Sequence, residues 1–168
     1  MTYRQEARER GSVQNQLTNN QRHNFMFNNI LVALDLSDAN KSVFDTAVFL
    51  AKKTHAKLIL LQVIPHIKDE SLVSVYEEPW QKFKQRGLEA LRSLAQEATT
   101  AGINAQFIQD FGNPGHTICD RAQLWSVDWI VVGSRGLTGA KEIFLGSVSN
   151  YVTHYAPCSV LIVRKTIK

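Results

Sequence analysis

The residues best suited to chemistry lie between Asp128 and Asn150, in DWIVVGSRGLTGAKEIFLGSVSN. The stretch opens on Trp129-Ile130-Val131-Val132, an apolar, β-branched run too short for a helix. It reads as a strand buried in a parallel sheet. Gly133, Gly136 and Gly139 follow, and Gly146-Ser147 opens a helical pattern. A strand that runs into a glycine-bearing loop and then a helix start is a way to hold phosphate. Glycines let the backbone approach the anion, and the unpaired N–H groups of a helix N-terminus point at it. The same pattern also describes a plain strand–loop–helix joint with glycines at its turns. The second chemical group is Asp35, where an apolar run breaks towards a helix. A carboxylate there either caps its own turn or accepts hydrogen bonds from a ligand held at the end of the strand.

The tools of fast hydrolysis are missing. No His/Asp/Ser arrangement has a recognisable spacing, and no carboxylate cluster promises a metal pair. His55, His66, His116 and His154 are scattered, and His23 lies in a polar tail. A cradle without a base binds substrate and transition state alike, which gives affinity and little rate. The residues therefore point to a binder and not to an enzyme, with no resident metal.

These groups need elements to position them. Ile30 to Leu34 is the first strand, and Ser37 or Asp38 suits the cap of the next helix, whose Val43, Ala47, Leu50 and Ala51 form a core-facing stripe. Leu58 to Ile64 is the second strand, stopped by Pro65. Residues 66–78 read as a loop. A long helix is predicted to start near Pro79, with Phe83, Leu91, Leu94 and Ala98 on one face, Trp80 in packing, and Gly102 as its end. Ala105 to Gln109 alternates like an edge strand. Pro114 suits the first position of a helix bearing Ile118, Ala122 and Trp125. Residues 138–145 read as a short helix. Ser147 is predicted to cap the last helix, with Val148, Val152 and Tyr155 inward, ahead of a fifth strand, Ser159 to Val163. Strands alternating with helices imply a parallel sheet covered on both faces.

Composition sets the bounds. The chain has 168 residues, 44% apolar and 20% charged, which is one domain of ordinary make-up. The net charge is +4, and Arg4, Arg8, Arg10 and Arg22 against Glu6 and Glu9 put half of that excess in the polar first 24 residues. No basic patch remains to argue for nucleic acid. Residues 1–24 have no period and read as a disordered extension; the domain proper spans 25–168. No apolar stretch approaches the roughly 18 residues of a membrane span. Cys119 and Cys158 fit buried thiols in a reducing cytoplasm.

The spacing Gly133, two residues, Gly136, nine residues, Gly146-Ser147 resembles the nucleotide-binding signature of the universal stress protein family. The closing segment SNYVTHYAPCSVLIVR is similar to that family's last helix and strand. The resemblance implies an open five-stranded parallel sheet of order 3-2-1-4-5 with helices on both faces. That is the adenine nucleotide alpha hydrolase-like, Rossmann-like fold. Winding then reverses between the first and fourth strands, and ligands of open α/β sheets sit at that reversal, here between Asp35 and Gly133. The resemblance further implies ATP, with Mg²⁺ carried by the nucleotide. Asp35 would contact the adenosine part. Ala33, Leu34 and Val63 would line the base. The segment from Val132 and Gly133 through Ser134, Arg135, Gly136 and Gly139, with Gly146, Ser147, Val148 and Ser149, would hold ribose and phosphates. It implies a homodimer through Ser159 to Val163 and an unidentified protein partner. Two departures stand out: most members have Gly at Leu36, and many have His at Gln62. The competing expectation is a nucleotide-independent interaction protein on the same fold, whose branch of the family tends to lose the glycine spacing. An adenylating enzyme would need a Ser-Gly-Gly loop after the first strand, and Asp35-Leu36-Ser37-Asp38 is not one.

Overall fold

The computed structural model describes residues 27–35, 40–65, 70–134 and 145–164, with residues 70–77 described by backbone alone. Among these described residues five strands alternate with four helices: β1 (Asn29–Leu34), α1 (Asn40–Thr54), β2 (Lys57–Ile64), α2 (Glu70–Thr100), β3 (Ala105–Phe111), α3 (Pro114–Leu124), β4 (Trp129–Gly133), α4 (Ser147–Tyr155) and β5 (Ser159–Val163). The sheet order is β3-β2-β1-β4-β5, and every pairing is parallel. That is the expected fold. The expected tail, the Ser37 or Asp38 cap, Leu36, His66 and, apart from Leu145, the short helix expected over 138–145 lie outside the described residues.

Alternation along the strands divides the core into two layers. Ile30, Val32, Leu34, Leu58, Leu60 and Val131 face one way, against Val43, Phe44, Ala47 and Ala51 of α1 and Leu91, Ala95 and Ala98 of α2. Leu31, Ile59, Leu61, Ile130 and Val132 face the other, against Ile118, Cys119 and Ala122 of α3 and Val152 of α4. Strands buried on both faces have no polar side to alternate with, which is why their sequences are unbroken apolar runs. Phe44, fully buried, is the member of the α1 stripe that periodicity overlooked, whereas Leu50 is half-buried.

Helix ends follow local chemistry. α2 stops where Gly102 takes φ +81, and Ile103 N donates to Ala98 O while Gly102 N donates to Thr99 O. Only glycine adopts that left-handed turn at no steric cost, and the paired bonds satisfy the last carbonyls. α3 starts at Pro114, with the Asn113 side chain accepting from His116 N at 3.3 Å. Asp110, near the end of β3, receives Arg121 Nε of α3 at 2.6 Å. That guanidinium holds the Asp110 carboxyl below its usual range.

Two expectations about helices are corrected. α2 begins at Glu70, not near Pro79, which lies inside it; residues 70–78 are therefore helix and not loop. A proline mid-helix removes the one bond its N–H would make to the carbonyl four residues earlier. A helix of 31 residues absorbs that local loss. Tyr155 is 65% exposed and does not face inward. α4 turns Ser149 and Val152 to the core instead, and Tyr155 packs tilted against Tyr151 with ring centroids 4.5 Å apart.

Candidate functional site

The carboxyl ends of β1 and β4 are neighbours, with Ala33 opposite Val132. Asp35 and Ser134 therefore leave the sheet beside each other. Asp35 N donates to Asn40 Oδ1 at 3.0 Å, which closes the turn from β1 into α1. Ser134 N donates to Val163 O of β5 at 2.8 Å. Ser134 O in turn accepts from Gly146 N at 2.8 Å. The Ser149 hydroxyl sits 3.1 Å from that same carbonyl and 3.0 Å from Gly146 O, and shares its one proton between them. The segment between Ser134 and Gly146 thus begins and ends at a single point, fastened by a serine that is 2% exposed.

Ser149, expected among the residues that hold ribose and phosphates, has its hydroxyl engaged in this fastening. The signal was there in Gly146-Ser147-Val148-Ser149, because a serine near a helix start bonds back to nearby carbonyls. Ser147 does not cap α4. Gly146 is the cap residue, extended at φ −62 and ψ 158, and Ser147 is the first helical residue. Glycine occupies the position from which a side chain would reach forward, so it supplies no side-chain cap to the first-turn N–H groups. Those donors, with the positive end of the helix dipole, make a seat for an anion.

Of the anticipated site residues, Ala33, Val63 and Val132 share the sheet face covered by α3 and α4, whereas Leu34 is buried in the opposite layer. Asp35, Gly133 and Ser134 stand at the carboxyl edge, and Gly146, Ser147, Val148 and Ser149 open α4 at the same edge. Arg135, Gly136 and Gly139, as well as Lys141, lie outside the described residues.

α4 is held in place by α3 through a contact the sequence did not announce. A Cβ on Gly115 would stand 2.8 Å from Cδ1 and Cγ of Tyr151 and 2.9 Å from its Cβ. The Tyr151 hydroxyl meets His116 Nδ1 at 3.1 Å, with the two rings 4.4 Å apart. Gly115→Ala is expected to lower stability by about 1 kcal/mol: overpacking of about 1–3 kcal/mol outweighs the roughly 1 kcal/mol by which alanine favours a helix. Urea denaturation of the single variant, and of Gly115→Ala with Tyr151→Ala, measures the coupling. A stabilised single variant would show that the two helices separate at no cost.

Neither cysteine offers a ready nucleophile. Burial pushes the Cys158 thiol up to about 11 and raises Cys119 as well, which keeps both protonated and unreactive. Among the described residues no three His, Cys, Asp or Glu side chains gather to hold a metal. Among those residues, too, no helix is long and apolar enough to cross a membrane.

Comparison with known proteins gives consistent matches. The model of the universal stress protein family matches residues 26–164. The universal stress protein YxiE of Bacillus subtilis is 40% identical over 152 residues, covering 83% of this chain and all of that protein. The structure of universal stress protein UspA from Lactobacillus plantarum superposes with a TM-score of 0.75 at 32% identity, covering 82% of this chain and 98% of that one. A universal stress protein solved in complex with cAMP has a TM-score of 0.61 at 25% identity, over 84% of this chain and 99% of its own.

Proposed function

This chain belongs to the universal stress protein family, and on that premise we propose that it binds ATP and serves as a nucleotide-responsive regulatory module of the stress response in the cytoplasm. It is not an enzyme in this reading: among the described residues the site offers anion-binding backbone and an acceptor, and no base. The observation that carries the proposal is the junction at Ser134. One carbonyl gathers Gly146 N and the Ser149 hydroxyl, so the uncapped start of α4 is brought beside Gly133 and Asp35. An anion set there meets first-turn N–H groups, and a base between Ala33, Val63 and Val132 meets apolar surface. The cAMP complex of a relative supports an adenine nucleotide as the ligand class. The donor set fits phosphates, and Mg²⁺ would arrive with the nucleotide, since metal in such sites is held largely by phosphate oxygens.

Native mass spectrometry of the purified protein, followed by calorimetric titration with Mg-ATP, tests the reading. An adenine nucleotide carried through purification, or saturable binding, is expected. A nucleotide-free protein that takes up no ATP would instead favour an interaction module that works without ligand.

Assembly is proposed on the same footing. β5 ends the sheet, and its Ser159-Val160-Leu161-Ile162-Val163 run is an apolar edge that invites pairing. Two copies joined through this strand satisfy its outer backbone groups around a two-fold axis. Light scattering at micromolar concentration is expected to give a dimer mass. A monomer mass for both the full chain and one starting at Asn24 refutes it, whereas a dimer seen only without the first residues shows that they mask the edge.

A further inference from the structure

On the first face of the sheet, under α2, lies a cavity of about 10 Å³ lined by Leu34, Asn40, Gln62, Gly87, Leu91 and Leu94. Its two polar side chains are Asn40 and Gln62, and Gln62 is 2% exposed, on a strand otherwise apolar inside. The orientation of the Gln62 amide follows from its neighbours. Lys84 O accepts only, so the Gln109 atom 2.8 Å from it is Nε2. That same Nε2 lies 2.9 Å from Gln62, whose facing atom is therefore Oε1. Gln62 Nε2 is left without a protein partner among the described residues. Asn40 Oδ1 is likewise taken, by Asp35 N at 3.0 Å, which leaves its Nδ2 as a second donor.

We propose that this cavity binds one water molecule, which accepts hydrogen bonds from Gln62 Nε2 and Asn40 Nδ2. A water has two lone pairs, and these are two donors. Apolar cavities of this size stay dry, but a polar one with a buried, unpaired amide holds water. The water completes a relay: Asp35 N–H to Asn40, Asn40 through the water to Gln62, Gln109 from Gln62 to Lys84 O. The turn after β1 is thereby tied to β2, β3 and the middle of α2. Gly87 makes the arrangement possible, because a Cβ there would stand 2.1 Å from Gln62 Oε1 and 2.8 Å from Gln109 Nε2. The water and its partners belong to the ligand-free protein, so the inference stands apart from the nucleotide reading.

The test is water–amide NMR on the full chain. In the wild type, the side-chain amides of Gln62 and Asn40 are expected to show cross-peaks to a water held for longer than nanoseconds. Their absence overturns the proposal. Gln62→Met keeps the volume and removes the donor. It is expected to abolish the Asn40 water cross-peak and to speed hydrogen exchange at the Asp35 amide about tenfold. Unchanged Asp35 exchange in a folded variant refutes the relay, and if the variant does not fold the wild-type cross-peaks decide.

Discussion

Phe44→Ala is expected to lower the unfolding free energy by about 3–5 kcal/mol, a large part of the roughly 5–15 kcal/mol that holds a domain of this size together. Phe44 is fully buried, with a relative accessibility of 0%. It belongs to the layer where α1 meets β1, β2 and β4. The truncated side chain leaves a void under α1 that its neighbours Val43, Ala47 and Ala51 are too short to fill. The lost contact between the ring and Lys41 Nζ, 5.2 Å from its centroid, adds little at an exposed amine. Phe49 provides the control. It sits on the same helix, 61% exposed, and Phe49→Ala is expected to change stability by no more than about 0.5 kcal/mol. Both are read by urea denaturation at one protein concentration, since any dimer makes stability depend on it. A Phe44→Ala loss below that of Phe49→Ala would mean that α1 is not anchored through this ring.

The second large effect concerns the ligand. Asp35→Ala is expected to weaken ATP by about 1–3 kcal/mol, or roughly 5–150-fold, the scale of a hydrogen bond to a charged group. The variant separates two roles. The bond that closes the turn runs from the Asp35 backbone N–H to Asn40, and alanine keeps it. If the carboxylate serves ligand, affinity falls in calorimetry while the denaturation midpoint moves little. If it serves the turn, the midpoint falls and ATP binds as before. The second outcome would remove Asp35 from the site and leave the Ser134 junction to carry the nucleotide reading alone.

Much of this was legible in the residues. The apolar runs at Ile30, Leu58 and Trp129 could only be strands buried on both faces, and Pro114 and Gly102 marked helix ends by backbone geometry that few other residues adopt. Pro79 misled because the rule for proline is local, while a long helix is held by packing all along its length. Three further features depend on contacts between residues distant in sequence. Gly115 is small because Tyr151 lies against it, Gly87 because Gln62 and Gln109 do, and Gln62 is buried because β3 brings Gln109 beside it. No window of neighbouring residues contains such pairs. Ser149 was nearer to hand, since its partners are only 3 and 15 residues away. Its role as a fastening was not anticipated, because the bond needs β4 and the start of α4 to be brought together.

The fastening at Ser134 has a further meaning for how the protein can change. Because Gly146 N meets Ser134 O at 2.8 Å, the ends of the intervening segment are fixed by the fold, whatever lies between them. Closing a flexible loop costs only about 0.6 kcal/mol more for each doubling of its length. A change of length between the two clamped ends therefore carries only a small closure cost. The junction acts as a socket whose two rims, Ser134 and Gly146, are set by β4 and α4.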